Sequence, residues 1–192
     1  MKGSVCVIAI FLCASVWTRG EEKEATVAQF TLSSPSFRNT QPIPARHSCE
    51  GGDVSPELKW EGAPPRTKSF ALICDDPDAP GGTWVHWVAY NINGSDGLME
   101  NISKNDSTRW QWRGESGAEA GALRQGINDF GKVGYGGPCP PRGHGVHHYH
   151  FRLYALDAEL NLAAGVKRNQ LEGAMKGHIL EQAELVGTYQ RE

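Results

Sequence analysis

Between Gly134 and Tyr154 the chain passes from a loop dense in glycine and proline directly into a stretch that alternates with period two. No other segment restricts the fold so tightly. Pro138, Pro140 and Pro141 each fix φ and remove a backbone donor, so the first half is neither helix nor ladder strand and reads as a stiff wall. From Val146 onward, His147, Tyr149, Phe151, Leu153 and Ala155 fall on one face, and Val146, His148, His150, Arg152 and Tyr154 on the other. His147 therefore stands at the rim of an apolar face, under the glycine-rich loop, where an imidazole is a candidate binding group. His148 and His150 turn to solvent.

The rest of the chain supplies partners for such a strand. Strands are expected over Val27–Leu32, Leu58–Trp60, Ser69–Asp75, Trp84–Ile92 and Ala183–Tyr189, each bounded by Gly, Pro or polar turn residues. In the third of these, Phe70, Leu72 and Cys74 share a parity that Asp76 continues, which puts a carboxylate at the edge of a core face. In the fourth, Trp84, His86, Val88 and Tyr90 share one face while Val85, Trp87 and Ala89 make the other apolar, as in a strand buried on both sides. The spacing of Leu171, Met175 and Ile179 predicts a helix near the C-terminus. Residues 93–128 read as a long irregular loop anchored by Trp110 and Trp112. The expectation is a mostly β fold, an antiparallel β-sandwich with one or two short helices, formed as one domain over residues 21–192.

Residues 1–20 have the form of a secretory signal peptide: Lys2, an apolar run from about Val5 to Trp17, then small residues before Glu21. The run is too short to span a bilayer. Its removal takes two cations and no acid, leaving 17 basic against 22 acidic residues, net −5. A mildly acidic chain without a basic cluster excludes the usual electrostatic route to nucleic acid or anionic membrane. Three cysteines remain. Cys74 shares the buried parity of its strand, and Cys49 and Cys139 lie in glycine-rich loops, so a Cys49–Cys139 disulfide is expected in an oxidising compartment. Asn93, Asn101 and Asn105 begin acceptor sequons, glycosylated if the host is a eukaryote.

Asp76, His86 and His147 thus emerge at the rims of inward faces, each beside a Gly/Pro loop or a tryptophan, and are expected to converge on one pocket. Protonated imidazoles donate to an oxyanion, and the N–H groups of Gly136 and Gly137 would add a nest for phosphate or carboxylate. Asp76 would orient a histidine or receive an ammonium group beside the anion. The plain alternative is a set of satisfied polar residues at strand ends. No metal or other cofactor is indicated, because the three residues lack the tight spacing of dedicated metal motifs, and strand parity divides His144, His147, His148 and His150 between faces. There is no Gly-x-Ser-x-Gly elbow, and Cys139 is assigned to a disulfide, so the chain reads as a non-enzyme.

At these residues the chain resembles the phosphatidylethanolamine-binding protein family, also called Raf kinase inhibitor-like, and within it the bacterial-type secreted branch. The segments that carry the resemblance are Gly51–Pro56, Thr67–Phe70, Asp75–Pro80, Trp84–Val88, Gly126–Gly131, Gly134–Pro141 and His147–Tyr149, in one order over about residues 27–190. The resemblance implies a β-sandwich with a small surface pocket for anionic groups such as a phospholipid-headgroup phosphate. Its pocket residues would be Asp76, Trp84, His86, Pro141, His147 and Tyr149, with Gly137 and Pro138 on the rim and Asp78 and Pro80 shaping the turn beneath. Cys139 and the short Gly81–Thr83 turn depart from the animal members. The function expected is a secreted small-anion or headgroup-binding protein, with an extracellular inhibitor or interaction protein acting through surface loops as the alternative.

Overall fold

A computed structural model describes residues 29–192 except 94–95 and 115–116, with the side chains of 110–120 also outside the description. The expected signal peptide, the start of the expected first strand and the Trp110 and Trp112 anchors lie outside the described residues. The strands are β1 (Thr31–Ser33), β2 (Gln41–Pro42), β3 (Leu58–Glu61), β4 (Ser69–Asp76), β5 (Trp84–Asn93), β6 (Gly97–Leu98), β7 (Ser107–Gly114), β8 (Gly117–Gln125), β9 (His147–Leu156) and β10 (Ile179–Tyr189). A 3-10 turn spans Ala45–His47, and helix α1 spans Arg168–Met175.

Seven strands form the main sheet in the order β2-β10-β9-β4-β5-β8-β7, and β1, β3 and β6 form a smaller one. Every pairing is antiparallel except the short one between β2 and β10. Strand β4 lies at the centre and is buried along its whole length. One face of the main sheet, carrying Leu72, Cys74, Trp87, Phe151 and Leu153, packs on Leu32, Leu58, Trp60 and Leu98 of the small sheet. Its other face, carrying Ala71, Ile73, Val88 and Tyr90, is covered by Leu171 and Met175 of α1 and by Leu160 and Val166. Period-two alternation in β4 and β9 thus sorts side chains between a sandwich core and a helix-covered core. Full burial of each large apolar side chain contributes about 1.5–3 kcal/mol.

Three expectations need correction. The segment 93–128 is no irregular loop: β7 and β8 pair over Ser107–Arg124 to Gly114–Gly117 as a hairpin on the open edge of the main sheet. The helix is shorter than its apolar spacing suggested. Gly177 takes φ +82° just beyond the Lys176 cap, which turns the chain out of the helix, and Ile179 begins β10 with a half-exposed side chain. In β5, strict alternation fails at His86. Val85 pairs with Asp75 and Trp87 with Cys74, so His86 is one extra residue in a β-bulge. Val88 and Tyr90 consequently face the helix-covered core and do not share a face with His86.

Cys49 and Cys139 are joined across 90 positions of sequence, tying the Gly/Pro wall to the segment after the 3-10 turn, while Cys74 is a buried free thiol. The wall is held closely. A Cβ on Gly137 would stand 2.2 Å from the His47 carbonyl oxygen, so only glycine lets these backbones approach. No helix among the described residues is long and apolar enough to cross a membrane.

Candidate functional site

Because β4 runs antiparallel to both neighbours, its end lies beside the starts of β5 and β9. This topology brings Asp76, Trp84, His86 and His147 to one edge of the sheet. Asp76 closes β4 and accepts the Asp78 N–H on Oδ1 at 2.9 Å, the local bond that starts the Pro77–Thr83 turn. Its Oδ2 accepts from His147 Nδ1 at 2.7 Å, and both side chains are almost wholly buried. Asp78 in turn accepts the His148 N–H at 2.9 Å and His148 Nδ1 at 2.7 Å, so the turn is stitched to β9, and these bonds hold the Asp78 carboxyl below the usual carboxylate range. Pro80 lines the cavity above that turn.

The bulge gives His86 its place. Its ring lies edge-on to Tyr149 at 5.1 Å and to Phe130 at 5.3 Å between centroids. Nδ1 stands 2.7 Å from the Gly136 carbonyl, which only accepts, so Nδ1 carries the proton and Nε2 is left to meet a ligand. Burial holds His86 below its ordinary value, against the opposing pull of the Gly136 carbonyl and the Asp76 charge. The resting ring is neutral at pH 7. Behind it the Tyr149 hydroxyl is buried with no hydrogen-bond partner among the described residues, and burial and the Asp76 charge push its pKa well above the ordinary value of a phenol, so it stays protonated.

A cavity of about 450 Å³ opens in front of these groups. Asp76, His86, His147, Trp84 and Pro141 line it, as the sequence anticipated; Phe130, Pro140, Cys139 and Asp129 line it too. Trp84 and Phe130 stand edge to face at 5.5 Å and are 38 % and 40 % exposed, forming an aromatic lip. No lysine or arginine lines the cavity among the described residues. Besides Asp76 its acidic residue is Asp129, whose Oδ2 accepts the Val85 N–H at 2.7 Å.

Other anticipated groups lie elsewhere. The Gly136 N–H donates to the His86 carbonyl at 2.9 Å and the Gly137 N–H to Asp53 Oδ1 at 2.6 Å, so the expected anion nest is already filled by the protein itself. Gly137 lines a smaller cavity of about 190 Å³ behind the wall. Pro138 is buried and accepts the Cys49 N–H, and Tyr149 supports His86 without reaching the cavity. His150 pairs with Glu184. Among the described residues no group of three or more His, Cys, Asp and Glu is placed to hold a metal ion. Of the sequon residues, Asn101 and Asn105 are exposed in the loop before β7, and Asn93 ends β5.

Phe130, Asp129 and His144 stand at the site without being among the residues the sequence marks for it. Phe130 and Asp129 lie together in a glycine-bounded turn, a signal available in Gly126–Gly131. His144 lies before the alternating stretch, where parity says nothing of its direction, and its Nδ1 lies 2.8 Å from His147 Nε2.

Residues 33–190 match the phosphatidylethanolamine-binding protein family. The chain is 49 % identical over 172 residues to a UPF0098 protein of Pyrococcus horikoshii, covering 90 % of this chain and 80 % of that protein. It is 48 % identical to a UPF0098 protein of Aquifex aeolicus, with 83 % and 87 % covered. Among solved structures, a phosphatidylethanolamine-binding protein homologue from Chlamydia trachomatis superposes with a TM-score of 0.72 at 37 % identity, covering 85 % of this chain and 98 % of that one. YbcL of E. coli, described as a member of the mammalian family, superposes at 0.73 with 31 % identity, covering 86 % and 100 %. The chain belongs to the phosphatidylethanolamine-binding protein family and is of its UPF0098 type.

Proposed function

We propose that this member of the phosphatidylethanolamine-binding protein family is a secreted protein that binds a small phosphate-bearing zwitterion, of the kind found in an ethanolamine phospholipid headgroup, and does not turn it over. The observation that carries the reading is the pair of imidazoles, His86 and His147, lining one cavity to which no lysine or arginine among the described residues contributes. Each histidine has one nitrogen fixed by the protein, His86 by Gly136 and His147 by Asp76. The other nitrogen of each, once protonated, donates to a phosphate oxygen. Asp76 has an acceptor bond on each oxygen, which leaves Asp129 as the better seat for an ammonium group. Among the described residues the cavity offers no activated nucleophile: Cys139 is in a disulfide, and the lining hydroxyl of Thr83 makes no hydrogen bond to a base. Secretion is supported by the N-terminal apolar run and by the disulfide, and a mature protein whose mass begins near Glu21 would establish it.

Calorimetry with phosphoethanolamine and with inorganic phosphate tests the site. Affinity is expected to rise as pH falls from 8 to 6 and to be lost in the double variant His86→Ala/His147→Ala. Affinity that is flat across this range, or that survives the double substitution, overturns the reading. Phosphorus NMR of the recovered ligand is expected to show it unchanged.

A further inference from the structure

We propose that His144 is an internal occupant of the ligand position, docked on His147 in the free protein and displaced when a phosphate group binds; this rests on the anion-binding reading above. The hydrogen-bond order forces the competition. His147 Nδ1 faces the Asp76 carboxylate, which accepts at 2.7 Å, so Nδ1 carries a proton and Nε2 of the neutral ring holds a lone pair. That lone pair is 2.8 Å from His144 Nδ1, which therefore donates to it. Asp76, His147 and His144 form one chain of hydrogen bonds that ends at an exposed imidazole.

An anionic oxygen gains nothing from a lone pair. Phosphate can bind here only where Nε2 carries a proton, so that Nε2–H is a donor. One N–H then has two claimants, the phosphate oxygen and His144, and the charge-assisted bond to phosphate is the stronger by roughly twofold.

The backbone around His144 is built to let it go. Gly143 and Gly145 flank it at φ +72° and +93°, and a Cβ on either would meet no atom within 4 Å. Val146 is 51 % exposed, and the His144 N–H donates to the Pro141 carbonyl at 3.2 Å, so it is the His144 side chain, by rotation, that moves away while its backbone stays. Both ends of the arm are fixed. Before it, Arg142 pairs with Glu50, and the Gly143 N–H donates to the Arg191 carbonyl at 3.1 Å; Arg191 also reaches the Pro140 carbonyl. After it, His147 is in register with Tyr189 of β10. Between these anchors the His144 side chain rests on His147. The sequence Gly-His-Gly therefore places a removable imidazole over a fixed one.

Titrating wild type, His144→Ala and His144→Gln with inorganic phosphate and with phosphoethanolamine separates the possibilities. Loss of the competing bond is expected to tighten both ligands about three- to tenfold in His144→Ala, given the usual net strength of one such bond. The glutamine variant, whose side-chain N–H can still donate to His147, is expected to stay near wild type. Saturating phosphate is expected to move the His144 ring resonances of the wild-type protein to those of a free imidazole. Both ligands gaining equally points to the shared phosphate; a gain confined to phosphoethanolamine still supports displacement and assigns the site to the headgroup. Wild-type binding with unchanged or weaker binding in His144→Ala overturns this inference and leaves the anion reading standing. No binding in any of the three proteins overturns both.

Discussion

Asp76 and His147 meet through a 2.7 Å hydrogen bond between Oδ2 and Nδ1, and the second oxygen of Asp76 accepts the Asp78 N–H at 2.9 Å. Two donors converge on one carboxylate, so an amide cannot replace it: Asn has one acceptor oxygen and would turn its NH₂ toward the other donor. Asp76→Asn is therefore expected to destabilise the fold by about 1–3 kcal/mol, the cost of leaving a buried donor unpaired. It is also expected to weaken phosphate binding, because the charge that supports a protonated His147 is gone. Urea denaturation and calorimetry on the same preparation check both. An Asp76→Asn protein with the stability and affinity of wild type would show that the carboxylate neither holds the turn nor orients the imidazole.

Burial holds His86 below its ordinary value of 6.5, which fixes the sign of a pH effect. Near pH 6.5 the unfolded chain takes up a proton that the folded protein still refuses. Stability therefore falls as pH drops through this window and is unaffected by this group above it, with a slope of at most about 1.4 kcal/mol per pH unit. His86→Gln removes the titration while its amide can still donate to Gly136, so its stability is expected to depend less on pH between 7 and 5.5. Saturating phosphate is expected to flatten the wild-type curve as well, since it stabilises the protonated ring. Equal slopes for wild type and His86→Gln would rule out His86 as a source of the pH dependence.

The parts of this fold legible from the sequence are those governed by alternation alone. Strand β9 and the face of β4 ending at Asp76 follow period two throughout, so parity could put Asp76 and His147 at the rims of inward faces, while their pairing comes from β4 and β9 being neighbours in the sheet. His86 reached the right pocket by a different route than parity suggested, because a bulge is an extra residue in a register and leaves no mark in composition. The β7–β8 hairpin carried a readable signal in the alternation of Thr108, Trp110 and Trp112 with Arg109, Gln111 and Arg113, but its partner strand is rich in Gly and Ala and shows no apolar face. The role of the Gly136 and Gly137 amides depends on which acceptors come near them, Asp53 and His86, and these are distant in sequence. The same holds for His144, whose contact with His147 is made by loop geometry that has no period.

One residue before Asp76, on the opposite face of β4, Asp75 is 1 % exposed and accepts from Arg152 Nη1 at 2.5 and 2.6 Å and from Arg168 Nη1 at 2.6 Å. Arg168 belongs to α1, so this carboxylate clamps the helix to the sheet behind the pocket. The two sides of the cluster are not equivalent. The arginine side chains are 23 % and 32 % exposed and have second partners in Glu184 at 3.0 Å and Glu172 at 2.7 Å, so each keeps water and an acid if Asp75 is removed. Asp75 has no such recourse. Arg152→Ala/Arg168→Ala leaves a buried carboxylate without a cation and is expected to cost about 3–5 kcal/mol. Asp75→Ala removes the buried charge itself and leaves cations that reach solvent, so its cost is expected to be smaller, about 1–3 kcal/mol. Urea midpoints for wild type and the two variants decide the order. If Asp75→Ala proves the more damaging, the cluster is held by the demands of the arginines and not by burial of the acid.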